Sequence, residues 1–313
     1  EIGVRLVGSE MCIRDRYNDE NIPKVDEWFS VRNGNPLRYK PFPLCREYML
    51  KAIFSRYLYI YPTSVAGDNS CRASVVNYLE KEGFKIEKTD NYDGLGIENI
   101  AFAYSTSHAY NLIVNAIAKP NDVILMTAPN YGIFAAFTEI DNARVEVIKL
   151  REEDDFYINP KLLGERIDEI NETLKKEFAK ESYIPRVVAF LNMNPHNPLG
   201  KVLNSKKMDI LEQLGDICLE KGVFIIDDLI YRDIGFDQDD KAFFLASIPK
   251  YFNNTITLIG LSKSYGLAQV RAGAIIAPIP IINDITAQIS HEVDALSYIC
   301  LLYTSPSPRD GLL

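Results

Sequence analysis

Seven short apolar runs recur along this chain, at 99–105, 123–128, 144–150, 187–193, 223–228, 255–261 and 272–278. Most are continuous rather than alternating, the pattern of strands covered on both faces. Helical patterns lie between several of them. Ala109, Leu112, Ile113, Ala116 and Ile117 follow the i, i+3, i+4, i+7, i+8 stripe, and 162–178 and 205–221 also read as helices. The alternation predicts an α/β fold, a seven-stranded, mostly parallel sheet flanked by helices. Ligands of such sheets sit at the carboxyl ends of the strands, so the residues that close each run are the first place to look for chemistry. No internal repeat or low-complexity linker interrupts the pattern.

The ends of the chain do not share it. Residues 6–16 read LVGSEMCIRDR and residues 300–310 read CLLYTSPSPRD. A back-translation of 11–16, reverse-complemented and read in another frame, encodes CLLYT. The two ends therefore read as one DNA element in opposite orientations. They resemble translated transposase adapter of the kind used to build sequencing libraries, and are set aside from fold reasoning. On this reading 1–16 and 300–313 are adapter, and 17–299 is the natural insert.

Three cysteines remain in that insert, Cys45, Cys71 and Cys218, with no CxxC pair. They indicate neither a disulfide framework nor a zinc site, and fit a reducing cytosol. The net charge of −9 and the lack of a basic stripe give nucleic-acid binding no electrostatic support. No apolar run approaches a membrane span. A chain that is 47% hydrophobic can bury one large core.

Five strand ends carry candidate chemistry. Lys263 follows the run 255–261; a lysine beside apolar walls can lose its charge and act as an amine nucleophile. Arg271 opens the next run, and an arginine can grip a phosphate dianion with two parallel hydrogen bonds. Together they point to an aldehyde cofactor that carries a phosphate, pyridoxal 5'-phosphate. Ser105, Thr106 and Ser107 stand between the first strand and the helix starting near His108; they either cap that helix or form an anion cup with its free amides. Tyr131, after the second strand, is either a core tyrosine or a ring stacked on a pyridine. The stretch Asn194-Pro195-His196-Asn197-Pro198-Leu199-Gly200 fixes a rigid loop that can present the Asn197 amide, with His196 a loop residue rather than a base. Asp228, ending the fifth run, can hold a pyridine nitrogen protonated, and Tyr231 can donate to a ring oxygen.

The order Asn197, Asp228, Tyr231, Lys263, Arg271 resembles the class I/II aminotransferases, fold type I of the pyridoxal-phosphate enzymes, over about 30–299. The resemblance implies the family's large domain at 46–299, a part of the small domain at 17–45, and the rest of that domain largely missing. It implies that the loop 105–107 holds the cofactor phosphate with help from Ser262, that Tyr131 lies over the ring, that Asp228 rather than Asp227 is the ring partner, and that Lys263 holds the cofactor covalently. Asp227 would then point away or cap locally. Gly34 and Asn197 are expected near the substrate, and Tyr61, in the stretch leading to Gly67 and Arg72, near the phosphate of a second subunit in a homodimer. Two departures stand out: Ser105, where the family commonly has glycine, and Gly260, where many members have a phosphate-binding serine. The implied activity is cytoplasmic amino-group transfer between an amino acid and a 2-keto acid, with a fragment of this extent poorly active. The alternatives are a cystathionine β-lyase-like C–S lyase, which the Asn-Pro-His-Asn-Pro phrase also resembles, and the aminotransferase-like sensor domain of a transcription regulator.

Overall fold

The computed structural model describes residues 43–55, 59–61, 64–84, 86, 94–235, 237 and 240–293. All seven runs form strands: β1 Ile100–Ala103, β2 Val123–Ala128, β3 Arg144–Lys149, β4 Val187–Met193, β5 Phe224–Asp228, β6 Thr255–Gly260 and β7 Gly273–Ile276. The helices are α1 Pro43–Ile53, α2 Asn69–Lys81, α3 Thr106–Ile117, α4 Ile133–Ile140, α5 Pro160–Glu177, α6 Met208–Glu220, the short α7 Pro249–Phe252, and α8 Ile279–Val293. The strands join in one sheet in the order β1-β7-β6-β5-β4-β2-β3. Every pairing is parallel except the two made by β7.

Local sequence explains the element ends. Pro160 opens α5, where its missing N–H costs nothing, and the Asn159 side chain accepts from the Lys161 N–H at 3.1 Å. Leu163, Ile167, Ile170 and Leu174 then bury one stripe of that helix. Every residue of β4 is buried, as a central strand covered on both faces requires.

Several boundaries are shorter than the sequence runs suggest. β1 has four residues because Asn99 sits in a 3₁₀ turn instead, its amide donating to the Ala277 carbonyl and its oxygen accepting from the Gly96 N–H, both at 3.1 Å. Tyr104 and Ser105 leave the strand, and α3 starts at Thr106 rather than near His108. Residues 205–207 form a 3₁₀ turn ahead of α6. The domain boundary expected after residue 45 falls inside α1, and Cys45 packs with Leu267 of the segment between β6 and β7.

Two apolar layers cover the sheet. Ile226, Leu258, Leu191 and Ala274 pack on one face with α2, α3, α4 and α8. Ile225, Phe190 and Leu125 pack on the other with α5, α6 and α7. Because β7 runs against its neighbours, the carboxyl ends of β1, β2, β4, β5 and β6 share one edge with the start of β7; Gly273 pairs with both Ala103 and Gly260 there.

Candidate active site

That edge gathers most of the residues singled out by sequence. Asp228 closes β5 and is 5% exposed. One of its carboxylate oxygens accepts the Ile230 N–H at 3.2 Å, and no cation pairs with it among the described residues. Burial pushes its pKa well above the usual carboxylate range. Tyr231 lies in the turn that follows. Its hydroxyl is also shifted up, first by burial and then by the charges of Asp228 and Tyr131, so all three groups lie within electrostatic reach of one another.

Lys263 faces the same group, with Nζ 5.6 Å from the centroid of the Tyr231 ring. Burial, and secondarily the positive charge of Arg271, lowers its pKa. A larger share of the amine is therefore uncharged and nucleophilic near neutral pH. The Ser264 hydroxyl donates to the Ile230 carbonyl at 3.3 Å, tying the lysine loop to the Asp228–Tyr231 turn. Ser262 is buried beside it. Arg271 is exposed, in a left-handed conformation with φ 55°, and its guanidinium donates to the Ala268 carbonyl at 2.9 Å.

The serine-rich loop is both a cap and a cup. Ser105 Oγ accepts the His108 N–H at 3.3 Å, at the start of a 12-residue helix. Ser105 has φ 132° and ψ 168°, a region that only glycine occupies without strain. Gly273 is what lets the loop sit so close: a Cβ there would meet Ser105 C at 2.8 Å and Thr106 N at 2.9 Å. The second departure has a steric reason. A Cβ at Gly260 would meet the Thr106 methyl at 3.0 Å, so a serine at 260 competes with Thr106 for one space.

The remaining candidates lie at the rim or apart. Tyr131 is 42% exposed, edge-on to Phe134 with 5.7 Å between centroids. Asn197 is half-buried and shares a groove wall with Tyr231. Tyr61 is 84% exposed and contributes nothing to this cluster from its own chain. Gly34 lies outside the described residues. Arg72 is buried and donates to the Ile97 carbonyl at 3.0 Å and the Asn69 side chain at 2.6 Å, which ties α2 to the turn before β1.

For two buried groups the structure shows contacts that the sequence did not. Arg232, beside Tyr231, is a buried cation over the Phe244 ring and pairs with Glu82 at 2.9 Å and Asp233 at 3.0 Å; this anchors the turn carrying Tyr231 onto α2. Its pairing with Glu82, 150 positions earlier in the chain, is what the sequence did not show. His196 is in a loop, as expected. It is buried, with Nε2 2.9 Å from the Thr127 hydroxyl and Nδ1 without a partner.

The sequence profile described as aminotransferase class I and II matches residues 77–292. The chain belongs to that family. An aspartate aminotransferase of Musicola paradisiaca is 26% identical over 196 residues, 63% of this chain and 44% of that protein. A cystathionine beta-lyase of Bacillus subtilis is 28% identical over 181 residues, 58% of this chain and 42% of that protein. The chain thus spans less than half the length of these two relatives. An aspartate aminotransferase structure from Rhizobium meliloti superposes with a TM-score of 0.72 at 17% identity, over 87% of this chain and 62% of that one, and shows the shared fold.

Members of this family use pyridoxal 5'-phosphate. The residues present fit it. Asp228 is a buried carboxylate lacking a cation, which a protonated ring nitrogen would supply. Lys263 is the amine for the aldehyde, and 105–107 with Arg271 offer hydroxyls, helix amides and a guanidinium for the phosphate.

Two expected outcomes follow from the local geometry. Ser105→Gly should stabilise the protein by about 1 kcal/mol, because relieving a glycine-only conformation outweighs the few tenths lost with the cap. Urea unfolding measures it, and a loss of stability would mean the hydroxyl does more than cap. The second concerns pH. Burial lowers the His196 pKa from 6.5 to about 4, so the folded state resists protonation. A depressed pKa contributes stability that is present above the unfolded value and lost as pH falls through the folded one. Unfolding midpoints of the protein and of His196→Gln should diverge as pH drops from 6.5 towards about 4, the parent losing more. Parallel curves would contradict the burial argument.

Proposed function

We propose that this chain carries the cofactor-binding part of a pyridoxal-phosphate-dependent aminotransferase, which moves an amino group between an amino acid and a 2-keto acid. The observation that carries the proposal is the pairing, at one sheet edge, of an amine with a lowered pKa and a buried carboxylate that has no cation among the described residues. When bound, pyridoxal phosphate supplies an aldehyde for amines and a ring that accepts electrons from the substrate Cα. The protein's share is then clear. Lys263 would hold the cofactor through its amine, and its Nζ, when free, would accept the substrate Cα proton and redeliver it as the amino group moves. Asp228 keeps the ring nitrogen protonated. Tyr231 and Asn197 donate to the ring oxygen, and Tyr131 packs against the ring. Ser105, Thr106, Ser107, Ser262 and Arg271 hold the phosphate. Asn197 is assigned to the substrate side, as is Gly34, which lies outside the described residues.

A homodimer is part of the proposal, with exposed Tyr61 reaching the partner subunit's phosphate site. The domain division at 45/46, adapter-derived ends and a cytoplasmic setting belong to it too, the last supported by three buried free thiols, Cys45, Cys71 and Cys218. Among the described residues, no helix is long and apolar enough to cross a membrane.

The same residues support β-elimination, which the cystathionine beta-lyase relative favours as the second reading. A single assay separates the two. The cofactor-loaded protein is offered amino acids with a panel of 2-keto acids, and cystathionine alone. New amino acid without pyruvate release supports transamination. Pyruvate from cystathionine without any keto-acid acceptor moves the assignment to the lyases.

A further inference from the structure

The turn that leads β1 into α3 is strained at Ser105, with φ 132°. A residue in such a conformation persists only where its surroundings fix it from several sides. Gly273 of β7 lets the backbone of 105 and 106 approach on one side. On the other stands His108, the third residue of α3.

His108 touches every part of this turn. Its N–H donates to Ser105 Oγ at 3.3 Å. Its ring Nδ1 lies 3.1 Å from the Tyr104 backbone nitrogen. Its Nε2 lies 3.1 Å from Oε2 of Glu292, in the last turn of α8. The ring also lies nearly parallel to that of Tyr104, 17° from its plane with 5.9 Å between centroids.

The donors and acceptors assign the tautomer. A backbone N–H can only donate, so Nδ1 is the bare nitrogen. Nε2 then carries the proton and donates to the Glu292 carboxylate. An imidazolium would set one N–H against another at Tyr104. The arrangement is a capping box extended by one residue: the serine at the N-cap takes the third amide of the helix, and the side chain of that third residue returns a bond to the backbone ahead of the cap. The amides of 104 and 108 are thereby used up. The N–H groups between them, of Ser105, Thr106 and Ser107, donate to no described residue. Open amides at a helix start are what an anion binds.

We infer that His108 is a positioning residue for the cofactor phosphate: held by Glu292, it pins the Tyr104 amide and keeps the strained Ser105 turn in the form whose amides stay open to an anion. The inference rests on the pyridoxal-phosphate reading above. His108 acts on the phosphate only through the loop, so its effect belongs to the phosphate and not to the ring.

Equilibrium dialysis of the full chain against pyridoxal 5'-phosphate, and against pyridoxal, which lacks the phosphate, tests this. His108→Leu should weaken pyridoxal 5'-phosphate by about five- to tenfold, the worth of about one hydrogen bond, and leave pyridoxal within about twofold. His108→Asn, whose Oδ1 takes the place of Nδ1, should recover most of the loss. Equal weakening of both compounds would make His108 a general structural residue and overturn the proposal, as would unchanged binding of both. Nitrogen-15 NMR of the histidine-labelled, cofactor-free parent gives a second reading. The His108 signals, recognised by their loss in His108→Asn, should show a bare Nδ1 and a protonated Nε2 at neutral pH. A proton on Nδ1 would overturn the proposal. A parent that retains pyridoxal 5'-phosphate on Lys263 while the Leu variant keeps the parent's preference for the phosphate sinks this inference alone. A parent that retains neither compound sinks the cofactor reading, and this inference with it.

Discussion

Lys263→Ala abolishes covalent retention of the cofactor and lowers turnover by about 10⁴-fold or more, because the substitution removes an attachment point and a proton carrier together. In the parent, borohydride should fix the cofactor mass on Lys263, found by peptide mass spectrometry. In the variant it should fix on no residue. The folded protein should tolerate the change well. Lys263 is half-buried and its pKa is lowered mainly by burial, so the folded state already disfavours its charge. Circular dichroism and the unfolding midpoint should therefore stay close to the parent's while labelling disappears. That split separates a chemical role from a structural one. An adduct on Lys201, whose Nζ pairs with Asp155 at 2.7 Å, or on any other lysine, would overturn the assignment.

The sheet was legible because its inner strands are buried on both faces, so their apolar runs are continuous and hard to mistake; the edge strand β3 is only partly buried. The run 187–193 and β4 have the same bounds. β1 was overestimated because Asn99 and Ser105 flank it with polar groups that bond to the backbone and turn the chain out of the strand. The candidate site was legible where a residue's own chemistry marks it, as with Lys263, Asp228 and Tyr231, and where the family order ranks the residues. What escaped depends on contacts between distant segments. Gly260 looked like a lost phosphate ligand until Thr106, far earlier in the chain, was found filling the space beside it. The burial of His196 was not legible because nothing in Asn-Pro-His-Asn-Pro announces that Thr127 lies beneath it.

Asp228→Ala should separate function from stability in the opposite sense to most buried substitutions. If Asp228 served the fold, its removal would leave a donor unmatched and destabilise the protein. Its one recorded side-chain bond is a 3.2 Å contact from the Ile230 N–H, while burial penalises its charge. A raised carboxylate pKa means that stability is greatest below the unfolded value and declines as pH rises through the folded one. Removing the group removes that decline. The cofactor-free variant should therefore unfold at the same temperature as the parent or higher, with the gain larger at pH 8 than at pH 5. With cofactor the order reverses. Breaking a buried ion pair costs about 3–5 kcal/mol, equivalent to roughly a hundred- to several-thousand-fold in rate or affinity. Turnover and cofactor affinity should fall by about that much, and Asp228→Asn should fall with Ala because it restores shape without charge. Equilibrium dialysis and thermal unfolding on the same samples check both halves. A variant that loses stability without cofactor yet binds it normally would show that Asp228 is a structural acid, and that the ring nitrogen finds its partner elsewhere.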